Sequence, residues 1–256
     1  MFNKASAPGK VPAGYEARDY PCVGMTVDLC IFTVRMGQLA VLLVKRAYDP
    51  FKGTWALPGG FVGIDEDATD AAWRELSEET GVAPDAFAGH LEQLATYSTP
   101  HRDPRMRTVS IAHVALAPNL PDPVAGDDAA EAKFWTIEDL MDPEGPELAF
   151  DHAEILADGL ERVRSKLEYT TLAAAFVTEP FTLAELRNVY TAVWGTPPEL
   201  ANFRRKVLST DGFVEPLEER TSQPGGGPRA LLFRRGTATM IQPAMQRPTG
   251  TEYDED

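Results

Sequence analysis

Four glutamates stand at fixed offsets in the stretch "GGFVGIDEDATDAAWRELSEETGV": Glu66, Glu75, Glu78 and Glu79. On a helix, offsets of three and four place Glu75, Glu78 and Glu79 on one face, where like charges destabilise the helix unless something neutralises them. A hard divalent cation is the natural counter-charge, because it takes oxygen ligands and Mg²⁺ often completes its shell with substrate phosphates. Glu66 arrives from the loop before the helix and either joins that face or orients Arg74. The bent "LPGG" backbone offers a carbonyl, that of Gly59. The chemistry this set suits is metal-assisted attack of water on a diphosphate, the metal activating water and neutralising phosphoryl charge. A solvated acidic helix face has the same composition, so the acids alone leave two readings open.

The elements that must hold these residues follow from periodicity. Residues 24–46 alternate or run apolar around "RMGQ" and predict a hairpin. "WALPGGFV" is extended, because Pro58 and the glycine pair do not continue a helix. "DATDAAWRELSEETG" is helical, capped by Asp67 or Asp65 and stopped at Gly81. Strands are expected at "LEQLATYS", "RTVSIAHVALA" and "AKFWTI", with a short helix at "EDLMD". The layout is mixed α/β.

Beyond residue 150 the pattern changes. "AEILADGLERVRSKL" puts Leu156, Leu160, Val163 and Leu167 on one helical face. Thr182 and Glu185 form a capping box before "LAELRNVYTAVWG", with Phe181 as staple. "PPELANFRRKVLS" is a third helix, followed by strand "FVEPL", a glycine-rich loop and strand "ALLFRRG". Three helices and a two-stranded wing are the order of a winged helix-turn-helix. The expected boundaries are a flexible arm over 1–20, a first domain over 21–150, a linker helix with winged helix over 151–236, and a disordered acidic tail over 237–256.

The chain has 256 residues and a formal net charge of −15, which argues against indiscriminate nucleic-acid binding. The charge is uneven: residues 200–236 carry seven Lys/Arg against four Asp/Glu. Projected at 100° per residue, Leu200, Phe203 and Val207 of the third helix face the core, with Leu208 at the edge. Asn202 and Arg205 point outward and Lys206 flanks them. Arg204 falls nearer the apolar side and must snorkel. Outward Asn and Arg suit adenine and guanine edges in the major groove. Arg229, Arg234 and Arg235 flank the glycine-rich loop as a phosphate-touching wing requires. A protein-binding or dimerising winged helix is the alternative. Cys22 and Cys30 are too few for a disulfide framework, no apolar run is long enough for a membrane span, and a reducing cytoplasm is expected.

Smaller signals are ambiguous. Asp127, Asp128 and Glu131 in "AGDDAAEAKFW" are candidates for a further catalytic carboxylate, or an ordinary solvated loop. Arg102 and Arg105 in "HRDPR" have the chemistry of a bidentate phosphate clamp, or belong to a polar hairpin. His152 reads as structural.

The spacing is more specific than the composition. Gly60, five residues, Glu66, seven residues, "REL", one residue, "EE", one residue and "GV" make a complete Nudix box, so the chain resembles the Nudix hydrolases. The resemblance implies an α/β/α sandwich with a mixed sheet, Glu75, Glu78 and Glu79 as ligands of Mg²⁺ or Mn²⁺ together with Gly59, and Arg74 pairing with a glutamate. It makes Glu75, Glu79 and Arg74 the catalytic set. "PFKGTWALPGGFV", "HRDPR" and "LAFDH" look like the subgroup that handles ADP-ribose, with Arg46, Gly60, Phe61, Arg102 and Arg105 as ligand-binding residues. With "FTLAELRNVYTAVWG" and "NFRRKVL" the whole resembles the Nudix-related transcriptional regulators, the NrtR family, over roughly residues 20–236. That implies a bacterial, cytoplasmic, homodimeric repressor of NAD-metabolism genes, which binds double-stranded operator DNA and is released by ADP-ribose or a related nucleotide sugar. Several members of that family have degenerate boxes. Here the box is intact, which leaves open a Mg²⁺- or Mn²⁺-dependent ADP-ribose pyrophosphatase, releasing AMP and ribose 5-phosphate.

Overall fold

The computed structural model describes residues 13–87, 89–118, 120–123, 129–220 and 230–248. Strands β1 (Gly24–Arg35) and β2 (Gln38–Arg46) form the expected hairpin. Its two turn residues, Met36 and Gly37, both have positive φ, at 49° and 79°, the conformation that matches the twist of tightly joined strands. Next come β3 (Trp55–Ala56), β4 (Gly59–Phe61), α1 (Ala68–Thr80), β5 (His90–Tyr97), β6 (Thr108–Leu116), β7 (Ala129–Thr136) and α2 (Ile137–Met141). The central order is β3-β2-β1-β6-β5, with β4 on β1 and β7 on β2. Strand β1 runs parallel to β6 and antiparallel to β2 and β4, so the sheet is mixed.

The sheet is buried on both faces, and β1 shows why. Leu29 and Ile31 point to one side, where they pack with Leu42 and with Ala72 and Leu76 of α1. Cys30 and Phe32 point to the other, where Val41, Leu43 and Ile155 meet α3 (His152–Tyr169). The result is an α/β/α sandwich. Each fully buried Leu, Ile or Phe stabilises it by about 1.5–3 kcal/mol relative to exposure. Gly159 lies where α3 crosses β1, and a Cβ there would press on the Cys30 side chain.

Helix α3 leads into a second unit made of a 3₁₀ turn (Leu172–Phe176), α4 (Leu183–Trp194), α5 (Leu200–Ser209), β8 (Val214–Arg220) and β9 (Leu231–Arg235). This is the predicted winged-helix order. Thr182 and Glu185 form the full capping box of α4. Phe181 is completely buried and exchanges backbone hydrogen bonds with Phe233 of β9. Tyr190, Phe203 and Phe213 fill the core beside it.

Three expectations need correction. Leu200 is 54% exposed and Leu208 53%, so only Phe203 and Val207 anchor α5. The prolines before α5 lie outside it, and its cap is Glu199, whose carboxylate accepts from the Ala201 and Asn202 amides at 2.8 and 2.7 Å. The stretch after residue 236 is not a disordered tail as far as it is described, to residue 248. Ile241 and Met245 are buried, their amides donate to the Tyr169 and Glu168 carbonyls, and Arg247 pairs with Glu161 and Glu168 of α3. Isolated apolar residues without a period carry no sequence signal, yet two of them suffice to dock a strap. Residues 13–16 and 18–20 are exposed, with a 3₁₀ turn over Ala17–Asp19; residues 1–12 of the expected arm lie outside the described residues. No helix among the described residues is long and apolar enough to cross a membrane.

Candidate ligand cleft and nucleic-acid interface

Helix α1 begins where its cap dictates: Asp67 accepts from the Thr69 and Asp70 amides, and Gly81 closes it in the left-handed conformation at φ 67°. Glu75 and Glu79 point inward and are buried, whereas Glu78 stays 59% exposed at the edge of the face. Arg74 gathers the cluster. It reaches Glu75 at 2.7 Å, Glu66 at 2.8 Å and Glu78 at 3.7 Å, and donates to the Phe61 carbonyl. Glu66 in turn accepts from the Gly63 amide at 2.7 Å. The Arg74 hydrogen bond, with that amide, lowers the Glu66 pKa, and Glu66 and then Glu75 raise that of Arg74.

The glycine pair has two separate jobs. A Cβ at Gly59, which sits at φ 156°, would strike the Val27 carbonyl of β1; a Cβ at Gly60 would strike the Glu75 carboxylate. Gly59 therefore lets β4 approach β1, and Gly60 makes the cradle in which Glu75 lies. Hard oxygen donors on this scaffold fit a divalent cation in chemical type. Among the described residues, however, no three His, Cys, Asp or Glu side chains converge as a ready cage. Arg74, bonded to Glu75, holds part of that charge. Of the further carboxylates, Glu131 lies on β7, 3.9 Å from Lys45 of β2; Asp127 and Asp128 lie outside the described residues.

A cleft of about 290 Å³ opens beside the Gly59–Gly60 backbone. Arg46, Gly60, Phe61, Arg102 and Arg105 all line it, together with Gly59. None of the three helical glutamates does. The residues that sequence reasoning missed are Asp28, Tyr48 and Phe150. Phe150 has φ 55°, and two guanidinium groups lie near its ring, Arg46 at 4.9 Å and Arg105 at 5.9 Å from the ring centre, with Phe51 edge-on at 4.7 Å. Its fragment "LAFDH" was legible only through resemblance, because the signal is a docking one: the Trp55 amide donates to the Glu147 carbonyl and the Ala149 amide donates to the Trp55 carbonyl, which carries Phe150 into place.

Arg102 does not stand ready as a phosphate clamp. Its side chain is 5% exposed and donates twice to Asp151, at 2.6 and 2.7 Å, and once to Asp28 at 3.2 Å. Burial works against its charge, but the two carboxylates more than offset this and its pKa lies above the ordinary value. Arg105 is likewise paired with Asp103, at 2.7 Å. Asp28 also accepts from Ser110 at 2.5 Å and faces His152 Nε2 at 3.5 Å. The His152 Nδ1 accepts from the Leu57 amide at 2.9 Å, which fixes the neutral tautomer, and burial lowers its pKa. His152 also lines the cleft, held there by Leu57 and Asp28. Asp151 is the cap residue and His152 the first residue of α3, so the cleft and the linker helix share one polar cluster.

The second surface is built differently. Asn202, Arg204 and Arg205 are exposed on α5, Lys206 is half-buried, and Arg205 donates to Asn202 at 2.9 Å. Arg204 needs no snorkelling, because the apolar stripe is only Phe203 and Val207 wide. On the wing strands Arg234 pairs with Glu215 at 2.7 Å, and Arg235 lies 3.8 Å from Glu179. Arg229 lies outside the described residues.

A glutamate-bearing helix packed on a mixed sheet, followed by three helices and a two-stranded wing, defines a Nudix-domain protein with a winged-helix module. The chain matches the NUDIX domain family over residues 25–159 and the NrtR DNA-binding winged helix domain over residues 173–234. It is 35% identical over 224 residues to the "ADPR responsive transcriptional repressor NtrR" of Acinetobacter baylyi, spanning 87% of this chain and 86% of that one. It also superposes on a crystal structure of Shewanella oneidensis NrtR complexed with a 27mer DNA, with a TM-score of 0.67 and 31% identity over 82% of this chain and 93% of that one. The chain belongs to the NrtR family of Nudix-related transcriptional regulators. The chain is also 43% identical over 120 residues to an ADP-ribose pyrophosphatase of Methanocaldococcus jannaschii, spanning 46% of this chain and 64% of that protein.

Proposed function

We propose that this protein is a transcriptional repressor of NAD-metabolism genes, that ADP-ribose or a related nucleotide sugar is its effector, and that it acts as a homodimer on double-stranded operator DNA. The observation that carries the reading is one chain in which an outward-facing Asn202–Arg205 helix is joined, through α3, to a polar cleft. Asn202, Arg204 and Arg205 meet base edges and phosphates, with Lys206 and the wing arginines adding backbone contacts. In the cleft, Phe150 and Phe61 offer ring faces and Arg46 and Arg105 offer guanidinium groups to an adenosine diphosphate sugar. The ligand acts on DNA only through a preference for one arrangement of the two units. The Arg102–Asp151–His152 cluster is the route, because it ties the cleft floor to the start of α3. An anisotropy titration of promoter DNA, with and without ADP-ribose, tests this. Sequence-specific binding weakened by the ligand is expected; absence of sequence-specific binding at moderate salt would overturn it.

A second reading is favoured by the complete box and by the likeness to a pyrophosphatase. Bound to Glu75, Glu78 and Glu79, with Gly59 adjoining, Mg²⁺ or Mn²⁺ would activate water and neutralise phosphoryl charge. Arg74 would hold Glu75 in register and Gly60 would keep its carboxylate against the backbone. Metal-dependent release of AMP, lost in Glu79→Gln, supports hydrolysis; equal rates in both proteins would assign the activity to a contaminant. A repressor that slowly destroys its own effector is compatible with both readings.

A further inference from the structure

The basic face of α5 borders a groove of about 480 Å³ whose opposite wall is the C-terminal strap. Asn202, Arg205 and Lys206 line one side; Met245, Arg247 and Pro248 line the other. The strap is anchored well before it reaches this point. Met245 is buried, and Arg247 is held by Glu161 and Glu168, which commits its charge to α3. The acid in the groove, Glu199, is committed to the α5 amides. The positive charge facing the groove is thus that of Arg205 and Lys206, with Arg204 exposed nearby on the same helix.

The chain that continues from Pro248 reads "TGTEYDED". Residues 249–256 contain Glu252, Asp254, Glu255 and Asp256 and no Lys or Arg. Eight residues reach at most about 26–29 Å. Helix α5, with ten residues, is roughly 15 Å long. Every acid of the segment is therefore within reach of Arg204, Arg205 and Lys206. Screening over about 8–10 Å leaves such contacts effective near physiological salt. A short tether holds the segment at an effective concentration in the millimolar range, so weak ion pairs suffice.

We propose that residues 249–256 dock on the Asn202–Lys206 face of α5 as an acidic stand-in for nucleic-acid phosphate. They compete there with DNA. The occupant is this segment rather than a separate protein, because the strap delivers it to the groove and its charge is opposite to that of the helix. The consequence is selectivity. Non-specific DNA, which offers only phosphate, competes poorly with a tethered acid; an operator adds base contacts and displaces it. The proposal rests on the DNA-binding reading of α5 given above.

The test compares the full chain with a variant carrying Glu252→Gln, Asp254→Asn, Glu255→Gln and Asp256→Asn, and with one ending at Pro248. Binding to a labelled duplex of scrambled sequence is expected to tighten about three- to tenfold in both variants at low salt, because the tether no longer masks the competent state. The gain should fade as salt rises and be smaller on operator DNA. A second readout needs no DNA. A nitroxide attached through Tyr253→Cys, in a Cys22→Ser background that removes the exposed native thiol, should broaden α5 amide signals at low salt and release them at high salt. Unchanged scrambled-duplex affinity in both variants overturns the competition, and absence of salt-sensitive broadening overturns the docking. Broadening in a protein that binds no DNA in any form would uphold the docking and instead refute the DNA-binding reading.

Discussion

The cleft and the α5 surface carry similar residue types in opposite states. In the cleft, Arg102 is buried between Asp151 and Asp28, and Arg105 is closed onto Asp103. On α5, Arg204 and Arg205 face solvent. The difference separates two ways of using charge. A buried, paired guanidinium is part of the fold, and its removal strands carboxylates in low dielectric. An exposed one contributes little to stability and is available to a partner. The wing lies between: Arg234 and Arg235 are half-exposed and already face Glu215 and Glu179.

The strongest way to break this comparison is to treat the two arginines alike. Arg102→Ala should destabilise the protein by about 3–5 kcal/mol, since Asp28 and Asp151 lose their shared partner; urea denaturation measures it. Arg205→Ala should change stability by less than about 0.5 kcal/mol while costing about 1–3 kcal/mol of base discrimination. Equal stability losses would erase the distinction.

Gly60→Ala sharpens the cleft side. The new Cβ would displace the Glu75 carboxylate, so Mn²⁺ affinity by calorimetry should fall about tenfold or more, a loss of the order seen when a ligand's positioning is disturbed. Melting behaviour should change far less than in Arg102→Ala.

A pH profile separates the regions again. His152 is buried neutral, with its pKa depressed below the ordinary 6.5. The unfolded chain then binds the extra proton first, so the contribution of His152 is fully present above pH 6.5 and lost as pH falls below it. His152→Gln should flatten the dependence of melting temperature on pH below about 6.5. The same scan on Arg205→Ala should follow wild type. The smallest expected effect is that of Arg235→Ala: slightly weaker binding on every duplex and a salt slope reduced by about one.

Legibility followed range. The capping box at Thr182 and Glu185, the Asp67 cap, the Gly81 stop and the β1–β2 turn were readable because each is settled within a few residues. The cleft was readable in part. Arg46, Gly60, Phe61, Arg102 and Arg105 do line it. Asp28 is one polar position in a largely apolar strand, and Phe150 is one aromatic outside the strands and helices. The partners of Asp28 are Ser110, Arg102 and His152, and those of Phe150 are Arg46, Arg105 and Phe51, all far off in the chain.

By itself, then, the order of residues determined the elements, the spacing of Glu75, Glu78 and Glu79 on one helix, and the outward aim of Asn202 and Arg205, because helical periodicity is a local property. Only the tertiary structure decided that Glu75 rests against Gly60 while Glu78 does not, that Arg102 belongs to Asp151 before any phosphate, and that Ile241 and Met245 strap the chain's last described stretch against α3 beside α5. Burial and ion pairing between distant segments have no period along the chain, so they become visible only when those segments meet.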